Sequence, residues 1–183
     1  MTRLDDLTIE IFEGQEYRFP IEIGCGISSI VYAISDEFVI KIPRVSLSYV
    51  IPKVDDFFLG QIVEELEAEF EIQRQLYEGG VSVPKPEGIF LCDFYFLLQR
   101  WYAGLVMERI EGINGNIAIQ IDQFGSFCDM RRAEIKLRGM MRIELEKVRS
   151  LGFYPCDQGL HNTIYNPEMD KLWLIDFEVW KKA

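Results

Sequence analysis

A chain of 183 residues, 49% hydrophobic and 13% aromatic, carries enough apolar mass for a packed core, as one domain or as two small lobes sharing a cleft. Its net charge of −11 disfavours a nucleic-acid partner, because phosphate backbones need clustered Lys and Arg. The apolar runs are too short for a membrane span, and the acidic start (MTRLDDLTIEIFEG) is unlike a signal peptide. Cys25, Cys92, Cys128 and Cys156 form no C-x-x-C pair and stand beside a single His, which argues against zinc and against a disulfide scaffold. The composition suits a reducing, cytoplasmic compartment, with the thiols as small buried hydrophobes.

In chain order, 17–23 and 30–34 are strand-like runs joined through Gly24-Cys25-Gly26, and Ser35-Asp36-Glu37 turns the chain into 38–42. Pro43 and Pro52 bracket a loop carrying Tyr49 and Val50. From 55 to 77 the apolar period becomes helical, with Phe58, Ile62, Leu66, Phe70 and Leu76 along one side and Gly79-Gly80 as the stop. The segments 88–92 and 94–99 read as paired strands, and 105–110 as another. A polar stretch over 112–116 separates this β-rich half from a helical half, which divides the chain at 1–111 and 112–183. The second half holds a long amphipathic pattern over 124–151, weakened at Gly125 and Gly139. A loop over 153–162 follows, then strands over 163–165 and 172–175. The basic residues between Arg131 and Arg149 interleave with Glu134, Glu144 and Glu146 and read as a solvated helix face.

Chemistry concentrates at a few points. Asp157 is followed five positions later by Asn162, and an apolar strand then delivers Asp176-Phe177-Glu178. One carboxylate can orient an attacking hydroxyl while a carboxamide and a second carboxylate hold metal against phosphates, as phosphoryl transfer from a nucleotide requires. Upstream, Ile23-Gly24-Cys25-Gly26 leads through Ser29 to Val31, a glycine turn whose backbone can lie over a triphosphate. Lys41 interrupts the apolar run Val39-Ile40-Lys41-Ile42, where its ammonium needs a buried counter-charge or a ligand. Singly, each has an ordinary reading: a hairpin glycine pair, an edge-strand lysine in water, an Asp and Asn in a loop. Their order along one chain is hard to obtain by accident.

In that order the motifs resemble the protein kinase-like superfamily. The run Leu76-Tyr77-Glu78-Gly79-Gly80-Val81-Ser82-Val83-Pro84 is similar to its RIO-type branch, and the whole to a minimal atypical member, RIO-type or lipopolysaccharide kinase-like. The resemblance implies an α+β, bilobal protein kinase-like fold: an antiparallel β N-lobe with one long helix, then a small, mainly helical C-lobe. It implies that Ile23, Gly24, Gly26, Ser29 and Val31 enclose ATP and that Lys41 pairs with the α- and β-phosphates. A glutamate of the following helix would then hold Lys41. Glu69 fits the spacing, with Ile72 and Leu76 after it, and Glu65 is the alternative. The run from Leu105 to Gly112 is similar to the family's hinge, with Met107 at the back of the adenine pocket and the main chain of Glu108 and Ile110 facing the base. Asp157 would accept or orient the acceptor hydroxyl proton, and Asn162 and Asp176 would bind Mg2+.

Three departures bear on activity. Pro155 stands two before Asp157, where the family has His, and Glu178 replaces the Gly of Asp-Phe-Gly. The sequence stops seven residues after Asp176, short of an activation loop and of the later helices, which reads as a truncated C-lobe. The function implied is ATP-dependent transfer of the γ-phosphate to a serine or threonine hydroxyl, on a protein partner or on the chain itself. A catalytically inactive pseudokinase that binds nucleotide or protein, and a small-molecule kinase, are the alternatives. The helix over 124–151 has more apolar residues than one core stripe needs, among them Met130, Ile135, Met140 and Ile143, which implies a homodimer or a protein partner.

Overall fold

The computed structural model describes residues 21–25, 29–43, 56–96, 99–120 and 127–182. Among them the chain runs through strands β1 (Ile21–Cys25), β2 (Ser29–Ala33) and β3 (Phe38–Pro43), helix α1 (Asp56–Glu78), and strands β4 (Pro86–Phe96) and β5 (Gln99–Glu108). It continues with β6 (Ile113–Asn114), helices α2 (Gly115–Gln120) and α3 (Phe127–Ser150), and β7 (Phe153–Tyr154). A 3-10 turn (Leu160–Asn162), β8 (Thr163–Asn166), β9 (Lys171–Leu174) and β10 (Lys181–Lys182) complete the described order. Two compact units result: residues up to Glu71 with Pro86–Arg109, and Ile72–Lys85 with the chain from Ile110 onward. No described helix is long and apolar enough to cross a membrane.

The first unit is a five-stranded antiparallel sheet in the order β1-β2-β3-β5-β4. Alternation along β3 sends successive side chains to opposite faces. Val39 joins Ile89, Ala103, Leu105 and Met107 in one cluster with Ile62 and Leu66 of α1. Ile40 and Ile42 join Val106 on the other face, packed against Ile30, Tyr32 and Phe90. A helical stripe on the first part of α1 matches its side of the sheet: Ile62 and Leu66 join that cluster, and Glu69, on the same stripe, is buried too.

The second unit packs α3 against the small sheet β6-β8-β9 and the pair β7-β10. Leu137, Met141, Leu145 and Val148 form the core stripe of α3 and meet Leu76, Val81, Phe153, Leu160, Leu174 and Phe177. Phe177 is 1% exposed and stands edge-on to Trp180, with ring centroids 4.9 Å apart.

Several sequence expectations change. The strands expected over 88–92 and 94–99 do not pair with each other: 88–96 lies in one strand, β4, which pairs along its length with β5, and Gln99 already belongs to β5. The apparent break at Asp93 is a register irregularity between Leu91 and Phe94, so the polar residue interrupts the ladder without reversing the chain. The division expected at 111/112 differs from the observed units, since 72–85 and 110–111 go with the second. Long-range hydrogen bonds explain this: Ser82 N–H donates to Glu144 Oε2 at 2.8 Å, its carbonyl accepts from Leu174 N–H at 2.8 Å, and Lys182 Nζ reaches Gln75 Oε1 at 2.9 Å. Cys156 is exposed and is no buried hydrophobe. The expected strand residues 17–20, the loop with Tyr49 and Val50, Gly26 of the glycine turn and Phe124 at the start of the second long helix lie outside the described residues.

Candidate active site

In the first unit the interrupting lysine finds its counter-charge. Lys41 Nζ donates to Glu69 Oε1 at 2.8 Å, and the two side chains are 8% and 5% exposed. Glu69 falls on the buried stripe of α1, whereas Glu64, Glu65 and Glu67 are exposed, so the helical period selects Glu69 over Glu65. Antiparallel register sets Lys41 between Val31 of β2 and Leu105 of β5. Val31 packs on the cluster of Val39, Leu105 and Met107. The same sheet face therefore carries an apolar floor and one buried, paired ammonium. Such a pair is kept in place of apolar residues at a desolvation cost, which makes it a pointer to chemistry as well as to structure.

At the glycine turn, Gly24 lies opposite Val31, after a register irregularity that leaves Ile23 49% exposed, and Ser29 is buried. Beyond β5, Arg109 N–H donates to Glu37 O at 2.7 Å. Met107 is buried with Val39 and Leu105. Arg109, whose guanidinium also reaches Ser35 O and lies 3.9 Å from Asp36, anchors this segment to the β2–β3 turn, a role that its spacing did not signal.

In the second unit a few hydrogen bonds bring Asp157, Asn162 and the strand leading to Asp176 together. Asn162 Nδ2 donates to Asp157 O at 2.9 Å, and Asn162 O accepts from Ile175 N–H at 3.0 Å. The Asn162 carboxamide and the main chain just before Asp176 are thus tied to one loop. Asp157 (φ 54°) and Asp176 (φ 68°) both occupy the left-handed region, which Asp tolerates better than most L-residues and which recurs where a site dictates backbone direction. Asp170 shares that conformation (φ 48°) in a surface turn, so the backbone alone marks no site. His161 Nε2 lies 3.6 Å from Asp157 Oδ1, an ion pair only when the ring is protonated.

The loop is braced by residues that sequence reading passed over. Asn114 Nδ2 donates to His161 O at 2.6 Å, and the buried Thr163 hydroxyl donates to Leu160 O at 2.7 Å. Gly115 passes so close that an added Cβ would sit 2.6 Å from Leu160 O. The triplet Asn114-Gly115-Asn116 read as a polar separator, and its pairing with a loop some 47 residues on has no local signature.

No cluster of three or more His, Cys, Asp and Glu lies among the described residues. Mg2+ is ordinarily held by one or two protein oxygens, with phosphate and water completing the octahedron, and Asn162 and Asp176 are the side chains here that could serve as such ligands.

This is a protein kinase-like fold, as the motif order implies. Two solved structures of WbdD, one with the kinase inhibitor LY294002, match 92% of this chain with TM-scores of 0.57 and 0.58, at 18% identity and over 34% of their own chains. A third describes WbdD as a bifunctional kinase-methyltransferase. In sequence the chain is 26% identical over 111 residues to a 3-deoxy-D-manno-octulosonic acid kinase of Vibrio vulnificus, and 30% identical over 113 residues to one of Pasteurella multocida. Each match covers 61% of this chain, and the chain spans less than half of those relatives, 42% and 43% respectively. No family model matches the chain.

Proposed function

We propose that this chain is an ATP-dependent phosphotransferase whose acceptor is a carbohydrate hydroxyl. The observation that carries the reading is the buried Lys41–Glu69 pair at 2.8 Å. It holds an ammonium on an apolar sheet face, where a polyanionic phosphate chain is the natural third party. Lys41 would orient the α- and β-phosphates, with Glu69 preventing it from swinging away. Magnesium, when bound, neutralises charge on the β- and γ-phosphates. Asn162 and Asp176 are the residues suited to hold it. Asp157, whose side chain is 69% exposed, would take the proton of an incoming hydroxyl as the oxygen–phosphorus bond forms and the bond to ADP breaks.

Sequence alone favours a serine or threonine acceptor, whereas the relatives are sugar-acid kinases by name, which supports a sugar hydroxyl ahead of a protein one. The test is transfer of radiolabelled γ-phosphate from Mg-ATP to a glycoside of 3-deoxy-D-manno-octulosonic acid, beside a protein acceptor. Wild type should label the sugar, and Asp157→Ala should lower the rate by about 10²–10⁴-fold while still binding ATP. Label on protein alone would return the acceptor to serine or threonine. ATP binding without label on either would support the inactive binding module.

A further inference from the structure

Strands β7 and β10 flank the two carboxylates of the second unit. β7 ends three residues before Asp157, and β10 begins five residues after Asp176. They pair antiparallel, with Phe153 opposite Lys182 and Tyr154 opposite Lys181. Successive side chains of a strand point to opposite faces, so the two cross-strand pairs are separated. Phe153 is 2% exposed, and Lys182 Nζ lies 5.6 Å from the centre of its ring while donating to Gln75 Oε1 at 2.9 Å. That face belongs to the core. On the other, Tyr154 is 63% exposed, Lys181 is exposed, and its ammonium has no ion-pair partner among the described residues.

The local chain keeps this outer pair close to the chemistry. Pro155 biases the preceding Tyr154 toward extended backbone, which suits its place in the ladder. Three residues of even fully extended chain span about 11 Å, so the Tyr154 backbone stays within that distance of Asp157. After Asp176, a turn closed by Trp180 N–H on Phe177 O at 3.0 Å shortens the path to Lys181. A tyrosine ring offers an apolar face with a polar tip, which suits the C–H face of a sugar ring. An ammonium without a protein partner suits an anion. The surroundings call for one, because Asp157, Asp176 and Glu178 are all acidic, in a chain of net charge −11, and repel an anionic acceptor.

We infer that Tyr154 and Lys181 determine acceptor specificity: the Tyr154 ring carries the sugar, and the Lys181 ammonium holds a carboxylate on it. The inference rests on the carbohydrate-acceptor reading above.

Steady-state transfer from Mg-ATP to a glycoside of 3-deoxy-D-manno-octulosonic acid, and to the same glycoside with its carboxylate converted to a neutral carboxamide, tests it on the full chain. Wild type should favour the acid by about tenfold or more in kcat/KM. Lys181→Met should lower kcat/KM for the acid to about that for the amide, through the acceptor KM, with the KM for ATP unchanged. Tyr154→Ala should lower kcat/KM for both sugars by about threefold to tenfold, and Tyr154→Phe, which keeps the ring, should restore most of it. Lys182→Gln removes the same charge from the opposite face and should leave the preference for the acid intact. A preference that survives Lys181→Met, or that Lys182→Gln removes equally, overturns the inference and leaves the carbohydrate acceptor standing. So does a wild type that uses acid and amide alike. A wild type that labels neither sugar overturns the carbohydrate reading itself, and this subsite with it.

Discussion

At Lys41 a single side chain links sequence pattern to chemistry. An ammonium in an apolar strand is unfavourable unless a carboxylate and a fixed geometry accompany it, and Glu69 supplies both at 2.8 Å. Removing one partner strands the other's charge in the interior. Lys41→Met and Glu69→Leu should therefore each cost about 3–5 kcal/mol in urea denaturation. The double variant should cost less than the sum, because neither charge remains. Transfer activity separates the two roles: the double variant should recover stability but no activity. The spacing narrowed the partner to Glu69 or Glu65, and burial of Glu69 with Ile62 and Leu66 on one side of the helix decided between them.

Elements behave less transparently, because their neighbours come from far along the chain. The loop carrying Asp157 is closed by Asn162, whose side chain holds the Asp157 carbonyl, and by Asn114 from before α2. Asn162→Ala should destabilise the unit by about 1 kcal/mol, as loss of one hydrogen bond, and should raise the magnesium concentration needed for half-maximal transfer. Gly115→Ala should cost about 1–3 kcal/mol through overpacking against the Leu160 carbonyl, read as a lower thermal midpoint.

Helix α3 is tied to the turn after β8 by Lys136, Tyr165 and Asp170, with Tyr165 Oη donating to Asp170 Oδ1 at 2.8 Å and Lys136 Nζ within 3.1 Å of Tyr165 Oη. The hydrogen bond to Asp170, then that to Tyr165, raises the Lys136 pKa, and the hydrogen bond from Lys136, then that from Tyr165, lowers that of Asp170. The lowered carboxyl contributes stability above its unfolded value, which is lost as pH falls through the folded one. The raised ammonium contributes below its unfolded value, and that is lost as pH rises through the folded one. The tether therefore works from mildly acid to mildly alkaline pH. Asp170→Asn should flatten the acid limb of the stability–pH curve, measured by denaturation at stepped pH.

Over the whole molecule, α1 belongs to both units, with 56–71 in the first and 72–78 in the second. A ligand that binds only the folded chain stabilises it by mass action, so Mg-ATP at a hundredfold excess over its dissociation constant should add about 2.7 kcal/mol. Thermal unfolding with and without Mg-ATP checks this, and Lys41→Met should abolish most of the shift.

Sequence by itself determined what local spacing can carry: the strand and helix periods, the order of the glycine turn, Lys41, Asp157, Asn162 and Asp176, and a glutamate of the following helix as partner, Glu69 or Glu65. Each rests on residues a few positions apart, or on one amphipathic stripe. Only the tertiary structure decided that β4 runs through Asp93, that 72–85 joins the second unit, and that Asn114 and Thr163 brace the loop. Those depend on main-chain groups finding partners tens of residues away, and a hydrogen bond between distant backbone atoms leaves no periodicity in the residues that make it.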